Sequence, residues 1–332
     1  MKKSNAKEKI CGLASYAVLT VLTVAACWFF AGRYGVFGAN MDWISQHSVF
    51  PEYFRQQFYK TGQFFPEYAA NIGGGQNIYN FSYYGLYNPI VLIAYLLPFV
   101  KMSDYLMAAS VICLAVSVCL LYGWLKKRRF STEIALGVAV LFLLAGPMIY
   151  QSCHQIMFVQ YMPFLLMTFL GVDRYWEKGK PGLYTLGVFL MILTSFYFSI
   201  AGMAAIFLYG WYGYPKGIRK RKLFGFPVPM IVAVLSAGVL LVPTAYAILQ
   251  RSGSSQSQNL KELLMPNLQL DSSLYGTYSV GLTVILVAVL LGGIGGGAIR
   301  GGGGSGGCVG VLKGPVVGWG VNGVLCGRYK SL

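Results

Sequence analysis

In the stretch "GANMDWISQHSVFPEYF", residues 38–54, Asp42 follows closely on the apolar run 11–31. The chain carries only 10 Asp and Glu among 332 residues, so a carboxylate at this place is a candidate for chemistry. Such a group can accept a proton from a hydroxyl as that hydroxyl attacks a sugar carbon, or hold a divalent cation against a phosphate. Asp is also a favoured N-cap residue, so the bland role is a cap on the helix that follows; the two roles are compatible. No glycine interrupts residues 42–60. The stretch is expected to be helical, with Pro51 bending or starting the helix. In an α-helix Asp42 and Gln46, four apart, share a face.

Three further groups have types suited to a site. His154 lies in "YQSCHQIMFVQYMPF" beside Gln151, Ser152 and Gln155, between two apolar runs. That patch reads either as a water-filled or headgroup-level site or as a plain polar turn. Arg251 opens the loop after "LLVPTAYAILQ" and could pair with a lipid phosphate or serve as an interfacial anchor. Gly73 to Gly75, in "NIGGGQNIYNFSYYGLYNP", could form a backbone nest for a phosphate, but a flexible turn between interfacial helices is the commoner use. The G-x-G-x-x-G spacing of a dinucleotide site is absent. Asn80-Phe81-Ser82 matches a glycosylation sequon, a pattern frequent by chance. No Walker loop, H-E-x-x-H or nucleophilic serine elbow is present, so an enzyme here would draw its energy from an activated lipid-linked substrate.

The elements that position these residues are membrane helices. The chain is 56% hydrophobic and 11% charged, against about 25% charged in a typical soluble domain. Apolar runs recur at 11–31, 104–125, 132–150, 156–172, 182–215, 226–249 and, more weakly, 278–299. Several reach the roughly 20 residues that cross a bilayer. The fold class is all-α, a polytopic transmembrane helical protein in the cell membrane. The net charge of +16 does not indicate nucleic-acid binding, because the basic residues sit in short runs between apolar segments and form no single face. Those runs are "MKKSNAKEK", "KKRR" at 126–129, "DRYWEKGK" at 173–180 and "KGIRKRK" at 216–222. Cytoplasmic loops attract Lys and Arg in this way.

With all four runs cytoplasmic, residues 1–10 form a cytoplasmic basic N-terminus. The first span then exits to a long extracytoplasmic loop, about 32–103, that holds Asp42. Residues 132–150 and 156–172 form a hairpin with His154 at its outer tip, and 182–215 become two short helices turning near Ser195 to Ser199. The stretch 86–100, short and bracketed by Pro89 and Pro98, is then interfacial or re-entrant. The competing arrangement makes 86–100 a full span and 182–215 one long helix, which puts "KKRR" outside. Both keep Asp42 outside. The loop is dense in tyrosine and phenylalanine, and tyrosine in particular suits the headgroup region. The first apolar run is long and lacks a small-residue cleavage site, so it reads as a retained anchor. The 7 cysteines show no paired spacing and are expected to be free thiols, with no disulfide framework and no zinc site.

The order "GANMDWISQ", "NIGGGQNIYNFSYYGLYNPIVLIAYLLPF", "CHQIMFVQYMPFLLM", "LLVPTAYAILQRSGSS" resembles the YfhO-like bacterial membrane proteins over roughly residues 10–275. That family belongs to the GT-C class of glycosyltransferases. The resemblance implies a GT-C-like module over 11–290 whose long first external loop carries the catalytic acid, matched here by Asp42 with Gln46 as its neighbour. It implies a polyprenyl-phosphate-linked sugar donor and a cell-envelope polymer acceptor such as lipoteichoic acid. It further implies inverting displacement, with His154 and Arg251 as candidates to balance the charge of the departing phosphate. Many members of the class use a divalent metal.

After about Gly292 the chain changes character: residues 292–332 hold 17 glycines in 41 positions and no acid. Glycine weakens helices and leaves little side chain to bury. The segment 291–332 is therefore read as a Gly-rich tail outside the authentic reading frame, with a genuine low-complexity tail as the alternative. Two other function classes stay open on sequence. A transporter or lipid flippase would be expected to carry charges inside its spans and repeat symmetry, and neither stands out. A non-catalytic membrane scaffold is the third.

Overall fold

The computed structural model describes residues 2–34, 42–72, 74–213 and 223–250. Arg251, Gly73, the basic run 216–222 and the Gly-rich tail lie outside them. Ten α-helices are described: α1 (Lys2–Tyr34), α2 (Val49–Thr61), α3 (Pro89–Ile93), α4 (Met102–Lys127), α5 (Thr132–Leu144), α6 (Gly146–His154), α7 (Ile156–Lys178), α8 (Gly182–Thr194), α9 (Phe196–Tyr212) and α10 (Val228–Leu249). Among the described residues strand is confined to a short hairpin, β1 (Tyr68–Ala69) with β2 (Gln76–Asn77). Among them, too, four segments are long and apolar enough to cross a membrane: Gly12–Ala31, Met102–Lys127, Ile156–Lys178 and Val228–Ala247.

The apolar run 132–150 is not one helix. α5 stops at Leu144 and α6 starts at Gly146, with Ala145 extended in ψ between them. Pro147 falls in the first turn of α6, where its missing N–H costs nothing, and a proline disfavours helical geometry in the residue before it. The run 182–215 divides as expected: Ser195 is extended, ends α8, and caps α9 by accepting from the Phe198 amide.

Packing folds α8 and α9 into a helical hairpin. The start of α8 lies on the later part of α7: a Cβ on Gly171 would sit 2.6 Å from the Tyr184 amide nitrogen, and Tyr184 meets the Tyr175 ring. At the far end of α9, the Tyr209 hydroxyl donates to Asp173 of α7 at 2.5 Å. Both legs thus begin and end beside the C-terminal half of α7, and the tip at Ser195 points away from it. Each leg is short; α8, at 13 residues, rises about 20 Å against roughly 30 Å of hydrocarbon.

That same end of the molecule gathers the described basic runs. Arg128, just past α4, binds Asp173 at 2.6 Å and lies over the rings of Trp124 and Tyr209, while Lys127 pairs with Glu177 at 3.0 Å. Asp173 is 6% exposed and also accepts from the Trp124 indole at 3.1 Å, so its charge is shared among three donors. Tyr16 of α1 meets Tyr122 near the same end of α4.

The residues between α1 and α4 fold over the opposite end. Residues 86–100 form α3 and a single 3-10 turn at Ala94–Leu96, too short to span. Arg55, buried on α2, fastens this segment by donating to the carbonyls of Leu97 and Val100 at 3.0 and 2.9 Å, with Glu52 balancing its charge. Phe54, Ile78, Leu86, Tyr87, Val91 and Tyr95 fill the loop's own core. Tyr87 reaches Thr244 of α10 at 2.9 Å, which ties the loop to the spans. Gly74 and Gly75 have positive φ and close the β1–β2 hairpin, so the turn joins two strands and not two helices. Ser82 of the sequon is buried, as is the Asn80 Oδ1.

Candidate functional site

Asp42 begins a short helical turn over Trp43–His47 that is π-wound. The amide of Ser48 donates to the Trp43 carbonyl at 3.0 Å, five residues back. A π turn brings position i+5 near position i, so the residue set against Asp42 is His47 and not Gln46. The expected α-helical pairing of Asp42 with Gln46 is corrected accordingly. Gln46 instead accepts from the Tyr84 hydroxyl at 2.6 Å. The capping role expected of Asp42 is also absent: it holds the N-cap position in helical geometry, with no side-chain cap hydrogen bond. Asp42 is half-buried, and its carboxylate is not used by the turn it starts.

His47 is 1% exposed, and the Gln155 side chain is the polar group set against its ring. Trp43 and Tyr84 pack against its ring. Burial lowers its pKa from 6.5 to about 4, while the Asp42 carboxylate and the Gln155 side chain pull the other way. The imidazole is therefore neutral near pH 7. Tyr83, pushed up to about 12 mainly by burial and to a lesser degree by Asp42, keeps its phenolic proton.

Two helix starts, those of α7 and α9, lie against the site. Gln155, extended between α6 and α7, faces His47 and leaves α7 without a side-chain cap. The Oε1 of Gln151 is buried without a hydrogen-bond partner. The rings of Phe196 and Tyr197, the first residues of α9, stand 6.0 and 6.3 Å from Tyr83. The start of α7 and the tip of the α8–α9 hairpin thus meet the loop at His47 and Tyr83. His154, the last residue of α6, is half-buried and adjoins Gln155, so the polar patch around it is part of this junction.

Among the candidates from sequence, Asp42 is in the cluster, Gln46 lies beside it on Tyr84, and His154 adjoins it. His47, Tyr83 and the site role of Gln155 were missed. One signal was available: His47 is one of only 2 histidines in the chain and lies five residues after Asp42. Among the described residues no three His, Cys, Asp or Glu converge to hold a metal ion. The described cysteines Cys27, Cys113 and Cys119 are free thiols.

Long apolar helices, a short helical hairpin and an aromatic loop covering one end define a polytopic helical membrane protein. The chain belongs to the family described as bacterial membrane protein YfhO, whose model matches residues 16–291. No curated protein and no solved structure matches it.

Proposed function

We propose that the protein is a membrane glycosyltransferase of the GT-C type. It moves a sugar from a polyprenyl-phosphate donor to a hydroxyl of a cell-envelope polymer, such as lipoteichoic acid, at the extracytoplasmic face. The observation that supports this reading is Asp42: a half-buried carboxylate that makes no capping bond to the turn it starts, in a covering loop where α7 and α9 begin. The end of the molecule opposite the loop bears Lys126 to Arg129 and Arg174 to Lys180, and the positive-inside tendency makes that end cytoplasmic. The loop with Asp42 is then extracytoplasmic, level with the headgroups where a lipid-linked sugar would enter.

In the reaction Asp42 accepts the proton of the acceptor hydroxyl. The hydroxyl oxygen attacks the anomeric carbon, and the bond from that carbon to the phosphate oxygen breaks. Its electron pair leaves with polyprenyl phosphate, inverting the anomeric centre. Tyr83, still protonated, can donate a hydrogen bond within the site. General-base help of this kind contributes about 10²–10⁴-fold. The test uses membranes containing the protein, labelled polyprenyl-phosphate sugars and acceptor polymer. Transfer with inversion at the anomeric carbon supports the reading; retention of the anomeric configuration, or no transfer with any of several sugars, contradicts it.

A further inference from the structure

One face of α4, from Ile112 to Lys127, lines a groove of about 610 Å³ together with Tyr16 and Thr20 of α1 and Leu170 of α7. That stretch of α4 rises about 22 Å, half of the roughly 40–45 Å of a bilayer with its headgroups. Small residues keep the groove deep: Ala115, Cys119 and Gly123 recur at every fourth position, and a Cβ on Gly123 would sit 2.8 Å from the Tyr16 hydroxyl. The lining is apolar along most of its length, and the Thr20 hydroxyl is spent on the Tyr16 carbonyl at 2.9 Å. Among the lining residues only Lys127 is charged, and it stands at one end, between Lys126 and Arg128 in the chain. Its partner there, Glu177, is half-exposed, and surface pairs of this kind hold weakly. Among residues 12–31 of α1 only Ser15, Leu19 and Thr23 are buried, so α1 meets the bundle along one narrow stripe.

We propose that this groove is a binding site for an anionic phospholipid, with an acyl chain along α4 and the phosphate on Lys127. A chain of methylenes with one anionic end matches an apolar groove with one cationic end, and basic pockets between membrane helices hold acidic headgroups in this way. The groove covers one leaflet in length, so its occupant is a lipid of the leaflet on the basic side. Covering the apolar lining favours the chain, and the Lys127 ammonium donates charge-assisted hydrogen bonds to the phosphate oxygens. The bound lipid fills the space between α1 and α7 and holds α1 where the protein's own contacts are sparse. Such a site lies at the end of the molecule opposite Asp42 and requires nothing of the sugar chemistry there.

The test is native mass spectrometry of the full-length protein, released from detergent that contains equal amounts of phosphatidylglycerol and phosphatidylethanolamine with the same chains. The expected result is a retained lipid with phosphatidylglycerol favoured about 5-fold, the worth of one cation beside an anionic headgroup. Lys127→Gln should erase that preference. Val116→Trp, which fills the groove from a lipid-facing position, should remove the retained lipid, while Ile134→Trp, similarly exposed on α5, should leave it in place. Equal retention of the two lipids by the native protein overturns the proposal, as does a preference that outlasts Lys127→Gln or a retained lipid that survives Val116→Trp. A protein dimer that Val116→Trp dissolves would also overturn it, by giving the groove to a second copy of the chain.

Discussion

At the scale of single residues, the site depends on one extra residue in a helical turn. Asp42 as a chemical candidate was legible in the sequence, because a carboxylate beside an apolar run in an acid-poor chain is conspicuous. Its partner was not. An α-helical repeat selects Gln46, whereas the π turn selects His47, and nothing in "DWISQH" signals that winding. The burial of His47 has a consequence for pH. The folded protein holds the ring neutral down to about pH 4, while the unfolded chain accepts a proton near 6.5. The stability conferred by the neutral ring is complete above pH 6.5 and is lost as pH falls from there toward 4, by on the order of 3 kcal/mol. Thermal unfolding in detergent at pH 7 and pH 5 should therefore show a larger acid-induced drop for the native protein than for His47→Asn. Equal drops would mean that His47 is not held neutral by the fold.

At the scale of elements, the break in 182–215 was legible and the break in 132–150 was not. Ser195 divides α8 from α9, as the charge bias on either side of 182–215 suggested, whereas Gly146-Pro147 ends α5 unannounced. The expectation of an unbroken 132–150 failed because hydropathy alone does not register the proline's effect on Ala145. The close approach of α7 and α8 was invisible, since a lone glycine in an apolar run has many uses. In the fold it is strict: a Cβ on Gly171 would meet the Tyr184 backbone, which cannot rotate away as a side chain can. Small residues permit such approach between membrane helices. Gly171→Ala should lower stability by roughly 1–3 kcal/mol in detergent. Gly137→Ala on α5, with nothing within 4 Å of the added carbon, should leave it unchanged or slightly raised. Similar melting of the two variants would contradict the described α7–α8 contact.

At the scale of the whole molecule, charge and hydropathy carried most of the architecture. The sequence separated basic runs from an aromatic loop, and the structure joins the described basic runs at one end through Arg128, Asp173, Lys127 and Glu177. Side-chain pairs of this kind cannot be read from a single chain, because they bring together residues some 45 to 50 positions apart. If the paired end is cytoplasmic, a cysteine at Lys180 in a cysteine-free background should react with impermeant thiol reagents only from the inner side. One at Tyr68, 61% exposed on the loop, should react only from outside. The reverse pattern would put Asp42 on the wrong face for a lipid-linked donor. The most direct measurement is sugar transfer in proteoliposomes from a labelled polyprenyl-phosphate sugar, comparing the native protein with Asp42→Asn at equal, correctly inserted amounts. Transfer by the native protein, reduced about 100-fold or more by the substitution, is the predicted result. Equal transfer by both would contradict the assignment of Asp42 as the base.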